Sequence, residues 1–129
     1  MIQQRKKDYL QRLIEEFFAK LHDRIDQKSV EEKKRLASEI FVTFAESFGI
    51  KQSDNAQVLL QKLNDMALLE QYARLLLYKY EIVDIKDKPQ LETALQIVSY
   101  LDAFDTTYSW DRIVLREDLL KRLDREETL

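Results

Sequence analysis

Cysteine is absent from the 129 residues, and glycine, proline, histidine and tryptophan each occur once. Without thiols there is no disulfide, thiolate nucleophile or thiolate metal site, and a reducing intracellular setting suits such a chain. One glycine, Gly49, leaves no glycine-rich loop to cradle nucleotide phosphates. With one proline beside it, Pro89, the chain is far too poor in turn residues for a β-sandwich. A single histidine, His22, excludes paired-histidine zinc sites, the di-iron helix motif and most catalytic triads. It lies about a quarter turn from Leu21, beside Asp23 and Asp26, as a boundary residue without a catalytic role would. No apolar stretch approaches the roughly 20 residues that span a bilayer. The N-terminus has charges every few residues and lacks the apolar core of a secretory signal. These absences predict a soluble, cytoplasmic protein.

Apolar residues at 45% and charged residues at 35% describe a chain that can build a core and cover it, and its length sits within the range of one domain, here 1–129. Net charge is −3 and the isoelectric point is near 5.3. Residues 1–35 carry ten Lys/Arg against seven Asp/Glu, and the remainder eleven against seventeen. A low isoelectric point argues against a nucleic-acid binder, although the first segment is mildly basic.

Apolar residues recur at the three- and four-residue steps of one helical face throughout. Leu10, Leu13, Ile14, Phe17, Phe18, Leu21 and Ile25 predict a helix from about Gln4 to Asp26. Ser29 with Glu32 has the form of a capping box, and Ala37, Ile40, Phe41, Phe44 and Phe48 predict a second helix over Val30 to Phe48, closed by Gly49. Ser53 or Asp54 can cap a short third helix bearing Val58, Leu59 and Leu63, and Asn64 or Asp65 a fourth. That fourth helix carries Leu68, Leu69, Tyr72, Ala73, Leu75, Leu76, Leu77 and Tyr80 on more than one face, so it is expected to be central. Its last residues, within YKYEIVDI, also have strand-like composition. Asp87, Pro89 and Gln90 mark the start of a fifth helix reaching Phe104, and Thr107 or Ser109 that of a sixth with Ile113, Val114, Leu119, Leu120 and Leu123. The fold class predicted is all-α, an antiparallel array of five to six helices with no linker long enough to divide it.

The pattern of Ala37, Ile40, Phe41 and Phe44 returns 57 residues later as Ala94, Ile97, Val98 and Leu101. The second copy resembles the second helix of a tetratricopeptide repeat, with Leu69, Tyr72, Ala73 and Leu76 on the first-helix positions. The chain departs from that family by about nine extra residues before Ala94, so the resemblance implies one elongated C-terminal hairpin. DYLQRLIEE and ETALQIVSYLDAFDTTYSWDR are similar to a group of small uncharacterised bacterial all-helical proteins ending in such a hairpin. That resemblance implies a fold and a bacterial origin, and no reaction.

Carboxylates are plentiful, but neighbours on a helix point about 100° apart and most adjacent pairs do not converge. Asp102 and Asp105 can share a face, near a helix C-terminus where the dipole disfavours negative charge, and a solvated helix end is the expectation. The basic runs Arg5-Lys6-Lys7 and Lys33-Lys34-Arg35 each lie beside acids, as solvated mixed faces do. No catalytic, cofactor-binding or metal-binding set emerges.

Aromatic residues concentrate in the C-terminal half, where packing between helices is the first expectation and Tyr78, Tyr80, Tyr100, Tyr108 and Trp110 are also candidate partner contacts, since exposed Tyr and Trp anchor protein interfaces. Phe17 and Phe18 are candidates for self-association as a homodimer, because their 100° separation suggests that one of them faces outward. The function expected is a non-enzymatic protein-interaction or scaffolding module with a protein partner and without a cofactor. The alternative is a nucleic-acid-associated regulator that uses the basic first helix.

Overall fold

A computed structural model describes residues 2–22, 30–51, 53–82, 86–107 and 109–128, with side chains over 8–19, 31–51, 53–82, 86–107 and 109–125. Six α-helices and no strand occur among the described residues: α1 (Ile2–His22), α2 (Val30–Phe48), α3 (Ala56–Leu63), α4 (Met66–Ile82), α5 (Lys88–Phe104) and α6 (Trp110–Thr128). The expected all-α array is observed. None of these helices is long and apolar enough to cross a membrane. The described part of YKYEIVDI is helical through Ile82.

Contacts gather the chain into two compact units, Met1–Ser53 and Asp54–Leu129. The boundary falls in the connection between α2 and α3, which composition does not mark. In the first unit α1 packs on α2, burying Leu10, Ile14, Phe17 and Phe18 from one and Ala37, Ile40 and Phe44 from the other. Phe44 and Phe48 lie tilted with ring centroids 6.2 Å apart. Gly49 ends α2 at φ 68°, its N–H bonded to the Ala45 carbonyl at 2.9 Å, a left-handed C-cap that costs glycine least. Ser29, proposed to cap α2, lies outside the described residues.

In the second unit α4 is central, packing against α3, α5 and α6. Its eight buried residues, Leu68 through Tyr80, explain why its apolar pattern covers more than one face. Opposite them α5 buries Leu91, Ala94, Ile97, Val98 and Leu101. Each Leu or Ile taken fully from water contributes about 1.5–3 kcal/mol, so the α4–α5 interface holds much of this unit's apolar stabilisation.

The caps follow side-chain chemistry with one shift. Asn55, not Ser53 or Asp54, caps α3, its Oδ1 accepting from the Val58 N–H at 3.0 Å. Asp54 is diverted into an ion pair with Lys62 at 2.7 Å. Asp65 caps α4, accepting from the Leu68 N–H at 3.0 Å, while Asn64 turns left-handed at φ 31° to close α3. Asp87 stands at the N-cap of α5 without a side-chain cap bond, and Pro89 occupies the first turn. Lys86 caps the other end of α4, donating to the Tyr80 and Glu81 carbonyls at 2.7 and 3.0 Å and lying 5.2 Å from the Tyr80 ring centroid.

Candidate functional site at the α5–α6 corner

Between α5 and α6 runs a five-residue connector, 105–109, which places charges where helix dipoles disfavour them. Asp102 and Asp105 stand at the C-terminal end of α5, and Arg112 stands in the first turn of α6. The structure brings these adverse charges together. Arg112 is the one charged residue among the described side chains that is buried, at 4% exposure. Its Nε lies 3.2 Å from Glu70 Oε1 on α4 and 3.8 Å from Asp102 Oδ1. Its Nη2 donates to Asp105 Oδ2 at 3.2 Å and to the Thr107 carbonyl at 2.9 Å.

Ser109 completes the corner. Its Oγ caps α6, accepting the Arg112 N–H at 3.1 Å, and donates to Glu70 Oε2 at 3.2 Å. Asp105 receives the Thr107 N–H at 3.0 Å, and its own N–H closes α5 on the Leu101 carbonyl at 2.8 Å. Arg116 adds a second guanidinium, 3.5 Å from Asp102. Three carboxylates therefore surround two guanidiniums. Further along α6, Arg122 reaches Glu81 at 2.6 Å and ties α6 to the end of α4.

Burial pushes the Glu70 carboxyl above its usual value against the opposing pull of Ser109 and Arg112. Hydrogen bonding by the Thr107 backbone, with Arg112 nearby, holds Asp105 below its usual value. Away from the corner, burial together with the Asp54 carboxylate pushes the Tyr72 phenol up to about 12. At the corner the permanently charged guanidinium sits where a bound cation would sit, so the arrangement neutralises acids and fixes the angle between helices. Among the described residues no group of three or more His, Cys, Asp or Glu is arranged to hold a metal ion.

On the opposite side of α6 exposed apolar side chains alternate with charged ones, among them Glu117 and Lys121. Arg112, Leu115 and Leu119 face inward at three- and four-residue steps. Trp110, Ile113 and Val114 repeat that spacing outward, with exposures of 64%, 39% and 39%. Leu120, seven residues beyond Ile113, returns to the same side and is exposed. Phe104, the last residue of α5, is 65% exposed, with its ring 4.8 Å from that of Tyr100.

The aromatic residues singled out in the sequence thus separate. Trp110 is exposed, Tyr78 and Tyr100 are half-buried, Tyr80 is buried, and Tyr108 lies outside the described residues. Tyr80 is therefore a core residue, as the packing expectation has it, and is corrected as a candidate partner contact, because α4 is covered on more than one side. Phe17 and Phe18 are corrected likewise: both are buried, rings edge to face at 5.3 Å. Their 100° separation fits inside the wide buried arc of α1 that also holds Leu10 and Ile14. In the basic run of α2, Lys34 pairs with Glu31 at 3.8 Å and Arg35 with Glu39 at 2.9 Å, as a mixed face does. The side chains of His22 and of Arg5-Lys6-Lys7 lie outside the described residues.

Arg112 and Glu70 were missed by sequence reasoning, and Ser109 was read only as a cap of α6. The usable signal was a pair of charge conflicts seven residues apart, acid at the end of one helix and arginine at the start of the next. No protein-family model, curated protein or solved structure matches the chain.

Proposed function

We propose that the chain is a protein-interaction module without turnover of its own, and that its contact surface is the outward side of α6 with the adjoining end of α5. The observation that carries this reading is the set of exposed apolar side chains Phe104, Trp110, Ile113, Val114 and Leu120. Contiguous exposed apolar side chains mark interaction surfaces, and tryptophan is among the residues most enriched at their energetic centres. The network around Arg112 supports the same reading, since it holds the N-terminal turn of α6 from behind and presents Trp110 on a fixed backbone. In this reading α4 and α5 form the elongated tetratricopeptide-like hairpin. Leu69, Tyr72, Ala73, Leu76, Ala94, Val98 and Leu101 are all buried, which supports it.

The test compares retention of proteins from the source cell on the immobilised chain and on its Ile113→Asp variant, with circular dichroism confirming that both are folded. A protein held by the first and lost by the second is the expected result. Equal retention by both contradicts the reading, and retained nucleic acid that high salt releases points to the nucleic-acid alternative.

A further inference from the structure

The exposed apolar side chains at the start of α6 stand where acids outnumber bases. Around Phe104, Trp110, Ile113 and Val114 the α5–α6 corner carries Glu70, Asp102, Asp105, Asp111 and Glu117, against Arg112 and Arg116. Both guanidiniums are already committed: Arg112 is buried against Glu70 and Asp105, and Arg116 is paired with Asp102. Asp111 and Glu117 are exposed and flank Trp110 and Val114 on α6 itself. The next cation on the outward side, Lys121, lies about one turn beyond Glu117 and beside Leu120, so the acidic excess is confined to the first turns of α6. Apolar side chains interspersed with an excess of acids discriminate between partners by charge: they attract a cationic apolar segment and repel an anionic one.

We propose that the outward side of α6 receives a basic amphipathic helix of a protein partner, with apolar side chains seated on Trp110, Ile113 and Val114 and Lys or Arg placed against Asp111 and Glu117. This rests on the reading of α6 as the contact surface and adds the chemistry of what binds there. The occupant is helical because the exposed residues run along a helix at three- and four-residue steps, a spacing that a second helix matches side by side. An anionic lipid surface meets the same excess of acids and is repelled.

Trp110, the only tryptophan, reports directly on occupancy. The full chain is titrated with three synthetic peptides: an amphipathic Leu/Lys helix, a Leu/Glu helix with leucine at the same positions, and a scrambled Leu/Lys peptide of equal composition. The Leu/Lys helix is expected to move Trp110 emission to shorter wavelength and to bind at least about tenfold more tightly than either control, with affinity falling as salt rises. Ile113→Asp should abolish the shift, and Asp111→Lys with Glu117→Lys should transfer the preference to the Leu/Glu helix. Equal binding of all three peptides, or none, overturns the proposal. So does sedimentation showing that the wild-type chain is a dimer that Ile113→Asp dissociates, since the occupant is then a second copy. If the peptides fail while a cellular protein is still lost on Ile113→Asp, the interaction surface stands and only its basic preference falls.

Discussion

Helix α5 packs against α4, against α6 and, less extensively, against α3, and its contacts with the first two differ in material. Along its length it buries Leu91, Ala94, Ile97, Val98 and Leu101 fully, and α4, the helix it contacts most, buries eight residues of its own. Toward α6 it is held at its end by Asp102 and Asp105 on a buried arginine, with Leu115 and Leu119 the buried apolar residues of α6. Apolar packing is non-directional and its strength scales with area, whereas a guanidinium fork demands its partners at set positions. The first interface is thus suited to supplying stability, the second to setting where α6 starts and which side it turns outward.

Substitutions can break this division. Ile97→Ala, which hollows the apolar interface, is expected to cost about 2–5 kcal/mol in chemical denaturation, the largest effect of the set. Arg112→Ala should cost less, about 2–3 kcal/mol, because the carboxylates it abandons are partly exposed and can take up water. Arg112→Met sharpens the point. If the corner works through charge and forked hydrogen bonds, Met does no better than Ala, whereas recovery by Met would assign the effect to packing of the arginine stem.

A pH series separates the carboxylates of the corner. The folded-state pKa of Glu70 is raised above its usual 4.5, so the folded chain binds that proton more tightly than the unfolded chain. This residue therefore makes stability fall as pH rises from about 4.5 toward its folded value. Asp105 has the opposite sign: its folded value lies below the usual 3.8, and the stability it contributes is lost only as pH falls through that lower value. Glu70→Gln keeps one of the two acceptor oxygens that Ser109 and Arg112 use and removes the titration. Denaturation midpoints measured from pH 4.5 to 7 should show a less negative slope with pH for the variant, and unchanged slopes would refute the assignment. The smallest effect is expected for Trp110→Ala, within about 0.5 kcal/mol, since an exposed side chain gives the fold little to lose.

Much of the fold was legible because capping chemistry is local. Val30 and Phe48 bound α2 as the periodicity and Gly49 predict, and Asp65, Pro89 and Ser109 stand where a helix start needs them. The candidate site was less legible because it depends on pairing across helices. Asp102 and Asp105 were visible as a conflict with the α5 dipole, but only the return of α6 against α4 and α5 brings Arg112 to resolve it. Nor could periodicity decide the fate of Trp110, since α6 has apolar residues on two sides. Leu115 and Leu119 differ from Ile113, Val114 and Leu120 only by which side met α5. The burial of both Phe17 and Phe18 was hidden for a related reason: a 3.6-residue period gives directions around a helix but not the width of its buried arc.

Gly49 and Asn64 end their helices in the same left-handed region, at φ 68° and 31°, and a Cβ built at Gly49 meets nothing within 4 Å. What selects the residue at the end of α2 is therefore mirror symmetry, not room. An added Cβ finds open space there and still strains the backbone, because an L-amino acid crowds its own following carbonyl in that conformation by about 1–2 kcal/mol. Asparagine, already accepted at the end of α3, is the natural replacement, and Gly49→Asn should be tolerated better than Gly49→Ala although it is the larger residue.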